Sequence, residues 1–109
     1  MAILYRFSAK NPNDEKIYIR DFSNLMPVGV TILNAQVAVV QNEVPDEPAT
    51  EITQPQPPQI IAGLNGPNTA VAATLLGGVN YKLYQVQYTV ERSDGVTETE
   101  TVYLPVEPS

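Results

Sequence analysis

Alternation of apolar and polar side chains with a period of two runs through most of this chain, and it predicts strands. Residues 16–20, Lys-Ile-Tyr-Ile-Arg, alternate cleanly. They predict a short half-buried strand with Ile17 and Ile19 on one side and Lys16, Tyr18 and Arg20 on the other. Residues 30–41 predict the first long strand. Ala35, Val37 and Val39 share one parity and Val30 and Ile32 the other, so a bulge is expected near Leu33–Asn34. Residues 69–76 put Val71, Ala73 and Leu75 on one side, although alanine and leucine are also strong helix formers. Strand prevails there because Gly77-Gly78 breaks the segment and residues 79–92 follow, dominated by β-branched and aromatic side chains. Tyr84, Val86, Tyr88 and Val90 share a face. Tyr81 and Leu83 have the opposite parity, which predicts a second irregularity near Tyr84.

The connections carry their own signals. Asp21 to Gly29 predicts a link with one helical turn before Pro27. Gly63 to Asn68 reads as a turn after a short strand at 59–62, and Ser93-Asp94-Gly95 as a hairpin turn. Residues 96–106 return as its partner strand, with the Thr-Glu-Thr-Glu stretch on an exposed outer portion. Residues 43–58 differ in kind, holding five of the ten prolines and four of the twelve acids. Proline lacks a backbone donor, so this segment reads as a loop or blocked edge with at most a short strand near Ala49–Thr53. Its two PxxP patterns, Pro45 to Pro48 and Pro55 to Pro58 with Pro57 between, also suit docking into an aromatic groove. Six or seven short strands at turn-punctuated spacing predict an all-β sandwich.

Ahead of the first clear strand lies an extended segment, residues 1–15, with apolar Ile3, Leu4, Tyr5 and Phe7 followed by turn formers from Lys10 to Glu15. Two placements fit this arm: as an added strand in the domain's own sheet, or as a contact with a neighbouring subunit. The division expected is an arm over 1–15, the sandwich over 16–106 and a short tail over 107–109.

Composition narrows the chemistry. The chain has 109 residues, one domain's worth, with no cysteine, histidine or tryptophan. Disulfides and thiolate metal sites are thereby excluded, and the usual general base and commonest zinc ligand are missing. A net charge of -6 disfavours nucleic acid as a partner. Four of the six basic residues lie in the first twenty positions, so the start of the chain is suited to an acidic neighbour, or is simply solvated. No apolar run is long enough to span a membrane, and the N-terminus lacks the order of a signal peptide, so synthesis in the cytoplasm is expected.

The acid pairs Asp14-Glu15, Asp46-Glu47 and Glu98/Glu100 fall in turns or on the hairpin, where solvated carboxylates are expected rather than a hydrolase dyad. Asn11 to Glu15 lacks the central glycine of a calcium loop, and Gly77-Gly78 lacks the lysine of a phosphate loop. No cofactor, metal or catalytic residue is expected. Six tyrosines raise the alternative of a carbohydrate-binding module, but four (Tyr18, Tyr81, Tyr84, Tyr88) fall in strands where alternation accounts for them.

Two stretches resemble known families. Leu76 to Leu83, followed by a glycine hairpin, resembles the corner before the penultimate strand of immunoglobulin and fibronectin type III domains. The resemblance implies that Tyr81 holds the corner tyrosine's place, its hydroxyl bonding back to the corner backbone. Tyr5 to Glu15, then a strand, then Asp21-Phe-Ser23, resembles small bacteriophage virion proteins of immunoglobulin-like fold described as fiber–tail adaptors. Phe22 stands where those proteins have tryptophan, and the Pro-rich segment is longer here. This resemblance implies a virion structural protein in multiple copies within a symmetric assembly, bound to tail, fiber or capsid proteins. The alternative in the same setting is a capsid decoration protein. Ile3, Leu4, Tyr5, Phe7, Pro45, Pro48, Pro55, Pro57 and Pro58 are the contact candidates.

Overall fold

The computed structural model of this chain describes residues 5–44 and 47–108. The strands are β1 (Tyr5–Arg6), β2 (Glu15–Asp21), β3 (Ile32–Gln41), β4 (Ile52–Thr53), β5 (Gln59–Gly63), β6 (Gly66–Gly77), β7 (Lys82–Arg92) and β8 (Thr97–Val106). A 3-10 turn at Ser23–Leu25 occupies the link ahead of Pro27, where one helical turn is expected. One sheet has the order β1-β8-β7-β3. The other has β2-β6-β4, with β5 also paired to β6. Every pairing is antiparallel except β1 with β8, which is parallel. The two layers form a β-sandwich closed over one core. Val71, Ala73 and Leu75 of β6 are fully buried, as are Tyr84, Val86 and Tyr88 of β7 and Leu104 and Val106 of β8.

The Ala-rich segment is a strand because both its edges are taken, by β2 on one side and by β4 and β5 on the other. Pairing and burial there outweigh helix propensity. The bulge expected near Leu33–Asn34 is present as a register shift between Ile32 and Asn34. The irregularity expected near Tyr84 is not. The β7–β8 ladder runs without a shift from Lys82↔Val106 to Glu91↔Thr97. Tyr81, at φ 64°, stands in the turn before the strand, and this breaks the parity instead. The turn after β5 is shorter than expected, and Gly66 already belongs to β6.

Of the two sides of β2, the one carrying Tyr18 faces inward. Tyr18 is buried, whereas Ile17 and Ile19 are 65% and 52% exposed. The larger ring fills the gap between the layers. It lies 4.7 Å from the Phe7 ring, and its carbonyl accepts a hydrogen bond from the Tyr88 hydroxyl at 3.0 Å. The Thr-Glu-Thr-Glu stretch is also less exposed than expected. Thr97 and Thr99 face solvent, but Glu98 and Glu100 are half-buried. Glu100 accepts from Arg20 of β2 at 3.1 Å, an ion pair that ties the two sheets together, and Glu98 accepts from Arg92 at 3.2 Å.

Candidate docking surfaces

From Tyr5 onward the N-terminal segment belongs to the sandwich. Tyr5 pairs with Val102 and Arg6 with Tyr103, and the Phe7 N–H donates to the Tyr103 carbonyl at 2.8 Å. Phe7 is half-buried against the core. Lys10 is fully buried, its ammonium donating to the carbonyls of Asn11 (2.8 Å) and Gly77 (2.9 Å). Burial pushes its pKa down. Of the arm candidates, Tyr5 and Phe7 therefore lie in or against the domain's own sheet. Ile3 and Leu4 lie outside the described residues.

The corner between β6 and β7 is built differently from the expected arrangement. Tyr81 is 81% exposed. Tyr84 takes the bonding role instead. Its hydroxyl accepts from the Val79 N–H at 3.0 Å and donates to the Glu51 carboxylate at 3.1 Å. The positive φ at Tyr81 sends its ring outward, while Tyr84 starts the inward parity of β7. Glu51 also accepts from Lys82 at 2.7 Å and from the Gln41 amide at 3.0 Å. Hydrogen bonds from Lys82 and Gln41 bring its pKa down to about 2. The Glu51 carbonyl holds the Gly78 N–H at 3.0 Å. Gly77 has φ 100°, and a side chain there would overlap that carbonyl, so the position requires glycine.

The Pro-rich segment covers the outer edge of β3. Pro48 bridges Val40, and the Gln54 amide donates to the Val37 carbonyl at 2.7 Å. Pro55 and Pro57 are exposed and Pro58 is half-buried. They form one wall of a groove of about 590 Å³ whose floor is Gln36, Ala38, Gln87 and Thr89, and none of the described residues lining it is charged. Pro45 lies outside the described residues.

A further surface sits at the end of the sandwich opposite that corner. The link over 22–31, the turn at 64–65 and the hairpin at 93–96 meet there. Thr31 N–H donates to Ser93 Oγ at 3.0 Å, and Ser93 N–H donates to the Thr31 carbonyl at 2.7 Å. Asp21 and Ser23 hold the middle loop. Leu64 N–H donates to Asp21 Oδ2 (2.9 Å), Asn65 N–H to Ser23 Oγ (3.0 Å), and the Ser23 hydroxyl to Asp21 Oδ1 (2.6 Å). Burial alone would raise the Asp21 pKa, but these hydrogen bonds outweigh it and the carboxyl ends below its ordinary value. On this braced frame Val28 is fully exposed and Leu64 is 88% exposed. A cleft of about 360 Å³ lies between the two loops, bordered by Pro27, Val30, Asn65 and Pro67. Sequence reasoning passed over Val28 and Leu64. The available signal was a large apolar residue inside each of two Gly/Pro turns, where burial is not on offer.

Comparison with family models, with curated proteins and with solved structures finds no match for this chain.

Proposed function

We propose that this chain is a non-enzymatic bacteriophage virion protein of immunoglobulin-like fold that joins tail and fiber components through protein–protein contacts. The observation that carries the reading is the apex. Val28 and Leu64 project from loops whose backbones are held by Asp21, Ser23 and Ser93. Loops positioned by a rigid scaffold are where binding surfaces are found, and a loop backbone braced beforehand lowers the ordering cost of docking through its exposed apolar side chains. The fold assignment is supported by the strand order, by a first strand running parallel to the last, and by a tyrosine bonded to the corner before the penultimate strand. The virion setting rests on the resemblance of the Tyr5–Ser23 region to fiber–tail adaptors.

The test is particle imaging together with a double substitution. Reconstruction of virions should show this protein in a ring of copies between tail and fibers. Val28→Asp with Leu64→Asp should abolish its incorporation while the purified variant keeps its melting temperature. Density repeating with capsid symmetry would replace the adaptor role with decoration of the head. Absence from the particle, or specific glycan binding by the isolated domain, would overturn the proposal.

A further inference from the structure

The outer face of the β1-β8-β7-β3 sheet carries a cleft that neither the core nor the apex uses. Arg6, Asn42, Leu83 and Tyr103 line it, enclosing about 320 Å³. Strand pairing sets these four side by side. Arg6 of β1 pairs with Tyr103 of β8, Tyr103 pairs with Gln85 of β7, and Gln41↔Tyr84 brings Asn42, just past β3, level with Leu83. Phe7, Tyr84 and Leu104 face the core, so by alternation Arg6, Leu83 and Tyr103 face outward. Leu83, Tyr103 and Asn42 are half-buried, and Arg6 is exposed at the rim. The cleft offers donors and no acid. Asn42 Oδ1 accepts from the Gln85 amide at 3.1 Å, which leaves the Asn42 Nδ2 group unspent. Among the described residues, neither the Arg6 guanidinium nor the Tyr103 hydroxyl has a hydrogen-bond partner. The other cations are occupied differently. Arg20, Lys82 and Arg92 pair with carboxylates, Lys10 is spent on carbonyls, and Lys16 stands exposed on β2 of the other sheet. Arg6 thus holds an unneutralised fork of donors beside an apolar floor, in a chain whose net charge is -6.

We infer that this cleft binds a carboxylate carried on a small apolar body. The guanidinium fork matches a carboxylate through two parallel hydrogen bonds. The Tyr103 hydroxyl and the Asn42 amide add donors, and none of the four lining residues repels the charge. The apolar body lies on Leu83 and the Tyr103 ring, and its burial adds what an exposed ion pair alone does not supply. Inorganic phosphate or sulfate satisfies the charge but leaves that floor uncovered, and a neutral ligand leaves the fork unpaired. The volume is at the small end of the range for ligand pockets, so the body is of single-ring size. Such a carboxylate belongs to a free organic acid or to the C-terminus of a partner chain, and the test separates the two. The cleft lies at the corner end of the sheet, away from the apex, and does not rest on the virion role.

The nitrogen-15-labelled full chain is titrated with three probes: hydrocinnamate, its uncharged twin hydrocinnamamide, and acetyl-Gly-Gly-Phe as the free acid. Amide shifts should concentrate on Arg6, Asn42, Leu83, Tyr103 and their strand neighbours. Hydrocinnamate should bind roughly tenfold more tightly than the amide, the difference expected of a charge-assisted pair. Arg6→Gln should bring the acid down to the level of the amide and leave the amide unchanged. Tyr103→Phe keeps the ring, loses one donor, and should weaken the acid severalfold. Thermal melting checks that each variant folds, and if Arg6→Gln does not, Tyr103→Phe carries the test alone. Tighter binding of the peptide acid than of hydrocinnamate identifies a chain terminus as the source, and the reverse order a free organic acid. No shift at the cleft with millimolar acid, equal binding of hydrocinnamate and its amide, or acid binding untouched by the substitutions would overturn the inference.

Discussion

The Tyr84 hydroxyl accepts one hydrogen bond and donates another inside a corner that solvent does not reach well. Removing it strands the Val79 N–H and takes a donor from Glu51. Tyr84→Phe should therefore cost about 1–3 kcal/mol. Tyr81→Phe should change stability by less than about 0.5 kcal/mol, because that ring stands in solvent. Chemical denaturation of the two variants side by side checks the assignment. The sequence places a tyrosine at the corner but does not say which one. Tyr81 and Tyr84 are three positions apart and of opposite parity, and the choice is made by a positive φ that no composition rule imposes on tyrosine. Glu51 was invisible for a related reason. Its partners Gln41 and Lys82 are distant in sequence and meet only when the corner closes. Its folded pKa, about 2, lies below the ordinary 4.5, so the unfolded chain takes up this proton first on acidification. The stability it contributes is present in full above about pH 4.5 and is lost as pH falls toward about 2. An acid titration of stability should be steeper across that window for the native chain than for Glu51→Gln.

At the scale of elements, alternation located the strands well, because each long one has an inward side that must be apolar. The buried faces of β6 and β7 and the bulge in β3 follow from parity alone. Parity cannot say which of two apolar sets faces inward, and β2 offered both an isoleucine pair and a tyrosine. The tyrosine face is inward because the Phe7 ring packs on the Tyr18 ring and the Tyr88 hydroxyl bonds to the Tyr18 carbonyl. This predicts an asymmetry between strands. Ile17→Thr and Ile19→Thr should each shift stability by less than about 0.5 kcal/mol, whereas Leu75→Ala, at full burial, should cost about 2–5 kcal/mol. Thermal unfolding of the three variants measures it. The course of the Pro-rich segment was not legible either. Proline excludes a central strand but leaves open which edge is covered, and the Gln54 amide on the Val37 carbonyl settles that by a contact seventeen residues apart.

The whole molecule measures 41 × 30 × 21 Å. Its two ends are unlike: a polar, hydrogen-bonded corner at Gly77 and Tyr84, and an apolar apex at Val28 and Leu64. The fold class was readable from the alternating pattern. The apex was not, since it is assembled from three loops whose proximity is a property of the closed sandwich. β1 lies parallel to β8, and this arrangement continues in bonds from Lys10 N–H to Pro105 and from Glu107 N–H to Lys10. Tension applied through the segment entering β1 and the segment leaving β8 would drag these neighbours past each other lengthwise. All the bonds between them would then bear load together, in shear, instead of opening one after another like a zipper. The pairing of the first strand with the last thus places these bonds in shear under any pull applied between the two ends of the sandwich.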